Sequence, residues 1–280
     1  MITVDPSKIK LMGVINVTPD SFSDGGRFID REDAIEHALL LIEQGADILD
    51  IGGESSRPNA RPVPEEEEME RVVPVIEGIA KATKIPISID TYKAEVAREA
   101  ISVGASIVND ISALRFDKNM AAVVAQSGCR IVLMHMLGNP RTMQKNPFYE
   151  DVVSDVSIFL KDRAEFAIGE GIAPENIWID PGIGFGKKLE DNLDLLAKID
   201  TLRRIGYKIV VGTSRKSFIG LIDREELPEN RLFGSLGSFA WAALAGVDIL
   251  RVHDVRETRR MLDLIAAIAS REEKIDGGDR

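Results

Sequence analysis

The sequence is defined first by what it lacks. It has one cysteine, Cys129, which excludes a disulfide framework and any four-cysteine zinc or iron–sulfur site within one chain. Its three histidines, His37, His135 and His253, form no HxxH or HxxxH pair, which argues against a histidine-built zinc centre. No apolar run reaches the roughly 20 residues of a membrane helix. The first residues, MITVDPSKIK, have no signal-peptide apolar core. The chain therefore reads as soluble and cytoplasmic, with no membrane partner. Basic residues are outnumbered, 35 Lys and Arg against 46 Asp and Glu, for a formal charge of −11. That balance argues against broad nucleic-acid binding. It does not exclude an anionic small molecule, but the site for one must be a local cluster of cations and backbone N–H groups.

What is present is a repeated unit: a short apolar run, a Gly- or Asx-rich turn, then an amphipathic helix. Strand candidates fall at Lys10–Ile15, Ile48–Ile51, Pro86–Ile89, Ser106–Val108, Arg130–Met134, Ile177–Ile179, Lys208–Val211 and Ile249–Val252. Helices are predicted over 34–44, from Pro64 onward, and over 93–102, 118–127, 150–169, 190–204 and 231–244. A last helix places Val255, Thr258, Met261, Leu262, Ile265 and Ile268 on one face. The acidic run Glu65–Glu68 suits a helix's first turn, where carboxylates complement the dipole. The tail from Arg271 reads as polar and frayed.

Eight strand-then-helix units in 280 residues predict a single-domain (β/α)₈ TIM barrel over 1–280, with about 1–9 and about 271–280 as terminal extensions. An open doubly wound sheet is the runner-up. Neither a G-x-G-x-x-G after the first strand nor a GxxxxGK[ST] supports it.

Barrel chemistry sits at the carboxyl ends of the strands. There the sequence delivers Asn16, Asp90, Asn109, His135, Asp180, Ser214, Lys216, Arg251 and His253. Singly, an Asp is a helix cap and a His is core. The mixture of acids, amides and cations is not explained by caps. Asp90, Asn109 and Asp180 could read a flat heterocycle with amino and ring N–H groups. Asn16, Arg251 and His253 could hold phosphate, with Mg²⁺ expected beside a diphosphate. Lys216 could be an anion clamp, a stem over a ring, or a Schiff-base nucleophile. Gly182, Gly184 and Gly186 could cradle a phosphate or simply make turns, with Phe185 among them as an aromatic face. The loops after the first two strands are long, and Gly25-Gly26 and Gly52-Gly53 could let them move as lids.

Eight segments then carry a resemblance: GVINVTPDSFSDGG, DIGGESSRP, ISIDTYK, IVNDIS, LMHMLGNPRTMQ, IDPGIGFGK, VGTSRKSFIG and LRVHDV, in order from residue 13 to 255. Together they resemble the dihydropteroate synthases, pterin-binding enzymes of folate biosynthesis and the target of sulfonamides. The resemblance implies a transferase joining 6-hydroxymethyl-7,8-dihydropterin diphosphate to p-aminobenzoate, releasing pyrophosphate. It implies pterin binding by Asp90, Asn109, Met134, Asp180, Phe185, Gly212 and Lys216. Asn16, Arg251 and His253 would hold the diphosphate, with Asn16 on Mg²⁺. Phe22, Ser56, Arg57, Pro58, Phe185, Ser214 and Lys216 would form the p-aminobenzoate pocket. Asp90, Lys216, Asp180 and Arg251 are the implied catalytic set, and a homodimer through C-terminal helices is implied as well. The second loop, GGESSRPN, departs from the family's GGESTRPG at Ser56, which keeps the hydroxyl, and at Asn59. A pterin barrel passing a methyl group from methyltetrahydrofolate to a corrinoid protein is the principal alternative. A pterin carrier without turnover and a Schiff-base aldolase are the others.

Overall fold

Strands that alternate with crossover helices pair in parallel, and eight of them close. The computed structural model, which describes residues 5–18, 31–56, 60–225 and 227–277, is a closed barrel of eight parallel strands in sequence order. They are β1 (Lys10–Asn16), β2 (Ile48–Gly52), β3 (Ile87–Asp90), β4 (Ile107–Asp110), β5 (Arg130–Met134), β6 (Ile177–Asp180), β7 (Lys208–Val211) and β8 (Ile249–Val252). Around them lie α1 (Arg31–Glu43), α2 (Glu65–Ala82), α3 (Ala94–Ser102), α4 (Met120–Ser127), α5 (Val152–Gly169), α6 (Leu189–Ala197), α7 (Ile199–Arg203), α8 (Ser217–Asp223), α9 (Leu232–Ala245) and α10 (Val255–Gly277).

Local chemistry sets the helix ends. Asp151 starts α5 by accepting from Val153 N at 3.0 Å and Ser154 N at 3.1 Å, a cap worth about 1 kcal/mol. Gly128 ends α4 at φ 68°, which a residue without Cβ adopts at little cost. Three elements differ from the sequence expectation. The helix expected over 190–204 is two, α6 and α7, because Lys198 between them leaves helical geometry at φ −117°, ψ 29°. Helix α8 is additional: SFIGLID is too short to show a period, yet it buries Phe218 and Ile219. Helix α10 continues to Gly277, past the polar Arg271 where the frayed tail was expected to begin.

The core has two parts. Outward strand residues and helix faces make one large cluster. Inside the barrel, Met12, Ile48, Ile107, Val132, Trp178, Val210 and Ile249 make a second. Strand side chains alternate, so the residues two positions further on face the same interior, nearer the carboxyl end. Those residues are Val14, Asp50, Asn109, Met134, Asp180, Gly212 and Arg251. One apolar plug thus supports one polar layer above it.

Candidate active site

The polar layer gathers most of the residues the sequence singled out. Register sets Asn16 beside Gly52, Gly52 beside Asp90, Asp90 beside Asn109, and Met134 beside Asp180. A residue not anticipated, Asp50, is central. It is fully buried, and its Oδ2 accepts from Arg251 Nε at 2.6 Å and from Asn109 Nδ2 at 3.1 Å. Arg251 Nη2 donates to Asp90 Oδ2 at 2.6 Å. Arg251 is therefore a bridge between two carboxylates. Its other carboxylate-facing neighbour, Asp180, contributes through space. The signal for Asp50 was a charged residue inside the otherwise apolar ILDIG run, in phase with inward Ile48.

Crowding shifts these groups. Burial raises the Asp90 carboxyl to about 7, against the Arg251 guanidinium and with the push of Asp50, Glu68 and Asp110. Burial also raises Asp180, opposed by Lys216, by a hydrogen bond from Gly182 N at 2.7 Å and by Arg251. Burial lowers the Lys216 ammonium to about 8, with Asp180 and Asp90 holding the proton on and Arg251 driving it off. Arg251 is pushed down by burial, but Asp50 and Asp90 more than reverse this and raise it. Groups with opposed shifts in one cleft are a mark of a functional site.

Lys216 stands just before α8, and its side chain reaches back over the loop after β6. Its Nζ donates to Ile183 O and lies 4.5 Å from the Phe185 ring centroid. The three glycines of that loop all have positive φ: 65° at Gly182, 83° at Gly184 and 65° at Gly186. They make the turns, and the carbonyls they expose are occupied by side chains; they do not form a ring of free N–H groups for phosphate. Met134 packs with Ile111, Met136 and Met143, and Phe185 and Tyr92 lean on that cluster, giving one wall of the mouth an apolar face. Gly212 faces Arg251, whose Cβ lies 3.5 Å from where a side chain would start. His135 is core: buried, against Phe159 and Tyr149, and lowered to about 2 by burial and the nearby Lys187 and Arg115.

The loop after β2 is anchored at both ends by Lys93. Its Nζ donates to Glu54 Oε2 and Val63 O, each at 2.6 Å, and to Glu68. Tyr92 Oη adds a bond to Glu54 Oε1 at 2.8 Å. Glu68 is thus not a dipole-complementing surface acid as its neighbours are; it is 1% exposed and ion-paired. Gly53 packs against Val72 and Glu68, where a Cβ would lie 2.8 Å and 2.9 Å from their side chains, so it is a close-packing glycine rather than a hinge. Half-buried Ser56 lines a small cleft, about 10 Å³, with Glu54, Asp90, Thr91, Tyr92 and Ile111. On the far side Ser214 Oγ accepts from His253 N at 3.3 Å. Phe22, Arg57 and Pro58, with Gly25-Gly26, lie outside the described residues.

Among the described residues no three His, Cys, Asp or Glu side chains gather to hold a metal ion. Mg²⁺ does not require such a cage, since it keeps several waters and takes substrate phosphate oxygens. Half-buried Asn16, inward-facing at the end of β1, offers one amide oxygen and fits that partial role.

Comparison with known proteins agrees with this geometry. A family model described as "Pterin binding enzyme" matches residues 12–253. The dihydropteroate synthase of Escherichia coli K12 is 45% identical over 271 residues, covering 97% of this chain and 95% of its own. The Xanthomonas albilineans dihydropteroate synthase structure with 4-aminobenzoic acid has 45% identity and a TM-score of 0.89, covering 94% of each chain. The same enzyme in complex with 7,8-dihydropteroate gives 0.86 at 44% identity, covering 94% of this chain and 95% of that one. These relatives do not favour the corrinoid methyltransferase alternative. The chain belongs to the dihydropteroate synthase family of pterin-binding enzymes.

Proposed function

We propose that this chain condenses 6-hydroxymethyl-7,8-dihydropterin diphosphate with p-aminobenzoate, giving 7,8-dihydropteroate and pyrophosphate. The observation that carries the reading is the convergence at the barrel mouth of Asp90, Asn109, Asp180 and Arg251 from four strands, with Lys216 reaching in from the start of α8, beside an apolar wall. Buried Asp180 and Asn109 read the amino and ring N–H edge of the pterin, as a carboxylate reads a guanidine-like edge. Met134, Phe185 and Gly212 shape the space around the ring. The diphosphate lies by Asn16, Arg251 and His253. Asn16 is the residue that would hold Mg²⁺, and the ion, when bound, would supply charge neutralisation for the departing pyrophosphate. Ser56, Ser214, Phe185 and Lys216 border the p-aminobenzoate subsite, with Phe22, Arg57 and Pro58 assigned there from sequence.

Charge development explains the pairing of acids and cations. The bond from the exocyclic methylene to the diphosphate oxygen breaks, and its electron pair leaves with pyrophosphate. Arg251 and His253 stabilise that negative charge. The methylene becomes positive, delocalised into the pterin, and Asp90 and Asp180 lower the energy of the cation. The arylamine nitrogen then attacks carbon and releases a proton. This is an S_N1-like path without an enzyme nucleophile. Water would capture the same cation, so a closed mouth favours the amine.

No helix among the described residues is long and apolar enough to cross a membrane. A cytoplasmic enzyme acting on these small substrates, with no nucleic-acid partner, is the reading we adopt. Homodimerisation is supported by exposed apolar side chains on adjacent helices, Phe233, Trp241 and Leu244 of α9 and Leu264 and Ile268 of α10. The test of function is direct: purified protein with both substrates and Mg²⁺, following pyrophosphate and dihydropteroate by mass. Product requiring both substrates and the metal is expected. Pterin binding without product would overturn the assignment.

A further inference from the structure

Lys187 ends the glycine loop, and the chemistry above gives it no task. It is 4% exposed. Its Nζ has three partners: Gly182 O at 2.9 Å, Phe185 O at 3.1 Å and His135 Nδ1 at 2.8 Å. The rest of the loop is held in the same way. Ile183 O accepts from Lys216, Gly184 O from Gln144 Nε2 at 2.7 Å, and Gly186 O from Tyr149 Oη at 2.7 Å. Five successive carbonyls are thus held by side chains from two other segments, the loop after β5 and the start of α8, and from the loop's own end. Gly184 N donates to Asn192 Oδ1 at 2.6 Å on α6, and Gly182 N to Asp180. Buried backbone polar groups need partners, but water or local turns usually serve in a loop. Here side chains supply the partners for every carbonyl from Gly182 to Gly186. Among the described residues only Lys187 holds two of the loop's carbonyls.

We infer that Lys187 is a positioning residue for the proposed condensation, fixing the loop so that the Phe185 ring and the Lys216 ammonium together form the wall between the pterin and the p-aminobenzoate. The inference rests on the proposed function for the identity of the two substrates. The chain of contact is short. Lys187 holds the Phe185 carbonyl; Lys216 lies over the Phe185 ring and bonds to Ile183, two residues before it. Gly184 leaves the Lys216 stem room to lie there, since a Cβ at Gly184 would sit 3.0 Å from Lys216 Cδ. Burial, with the Lys216 charge, drives the Lys187 ammonium well below its ordinary pKa, and His135 is neutral. Lys187 acts as a hydrogen-bond donor, in either protonation state, and not as a cation for the diphosphate.

The test is Lys187→Met, which keeps the apolar stem and removes the donor. A purely structural role would lower the amount of folded enzyme without moving KM. The positioning role predicts a KM for p-aminobenzoate about tenfold higher per active site, the size of one well-placed hydrogen bond. Hydrogen exchange at the 184–186 amides should accelerate in the same variant. A folded Lys187→Met enzyme with wild-type KM overturns the inference. If that variant does not fold, Tyr149→Phe and Gln144→Ala each remove one outer anchor of the same loop. A KM increase of about twofold in each supports the inference, and an unchanged KM in both overturns it. Should the wild-type protein form no dihydropteroate, the functional reading fails on its own. Unaltered exchange at 184–186 in Lys187→Met, or in Tyr149→Phe where Lys187→Met does not fold, would then separately overturn the anchor.

Discussion

Arg251 Nε and Asp50 Oδ2 are 2.6 Å apart across the barrel mouth, joining residues 201 positions apart in the chain. Strand β1 lies between their strands, so the guanidinium spans the inside of the barrel to reach its partner. Asp50 also holds Asn109, and Arg251 also holds Asp90. One buried carboxylate thereby sets two side chains assigned to substrate.

Asp50→Ala leaves the Arg251 charge and the Asn109 amide short of an acceptor. Breaking one side of a buried ion pair costs about 3–5 kcal/mol. The Arg251 side chain is 23% exposed, and water there screens part of the loss, so about 3 kcal/mol is expected from urea unfolding. Pterin affinity should fall in the same variant. Asp50→Asn keeps an oxygen acceptor and should be intermediate in both measurements. Equal urea midpoints for the alanine variant and the wild type would show that the pair contributes nothing.

The displaced pKa values fix the pH behaviour. Asp90 rises from 3.8 to about 7 on folding, chiefly through burial, so the folded state binds the extra proton between those values. Its contribution to stability is complete below about 4 and is lost as pH rises through 7. Lys216 moves the other way, from 10.5 to about 8, so its effect on stability is recovered as pH climbs past 8 toward 10.5. For catalysis, Asp90 is needed as the anion and Lys216 as the cation. kcat/KM should therefore rise near pH 7 and fall near pH 8, giving a narrow bell. Asp90→Asn should remove the acid limb and lower kcat/KM by about 100-fold. An acid limb that survives in Asp90→Asn would assign it to another group.

The barrel was legible because its code is periodic. Eight apolar runs, each followed by a helix, leave little choice of topology, and strands five, seven and eight match their expected limits at Arg130–Met134, Lys208–Val211 and Ile249–Val252. Asp90, Asn109, Asp180, Lys216 and Arg251 were legible because polar residues at one end of nearly every strand have no common structural purpose. Asp50 was hidden because the polar GGESSRPN segment just after it drew the end-of-strand reading past the carboxylate inside the apolar run. Lys187 was hidden because its partners are mostly carbonyls, which no side-chain pattern encodes. Glu68 was misread because a helix's first turn explains acids equally well whether they face water or a buried Lys93. The α6–α7 break depends on Lys198 backbone angles that tertiary packing selects, not on a Gly or Pro.

The glycine loop can be tested by comparing two glycines of nearly equal φ. At Gly128, φ is 68° and nothing lies within 4 Å of an added Cβ. Gly128→Ala should cost only the backbone preference, about 1 kcal/mol. At Gly182, φ is 65° and an added Cβ would sit 1.9 Å from His135 O. Two main-chain segments would have to separate beneath Asp180, so about 4 kcal/mol or failure to fold is expected from thermal or urea unfolding. Similar losses for the two variants would mean that the loop after β6 is not packed as tightly as its contacts indicate.

Lys216 separates the proposed mechanism from Schiff-base chemistry. An amine lowered to about 8 would suit either a clamp or a nucleophile, so its pKa does not decide. Its placement does: Nζ is committed to the Ile183 carbonyl and to the Phe185 face, as a cation that stacks and donates. Neither proposed substrate carries an aldehyde or ketone for it to attack. Borohydride added during turnover should therefore trap no adduct at Lys216, by intact and peptide mass. Lys216→Met should fold normally, since it keeps the stem over Gly184. It should lose about 100-fold in kcat/KM through the missing charge beside Asp180. A reduced pterin or aldehyde adduct on Lys216 would overturn the S_N1-like path and move the chain to covalent catalysis.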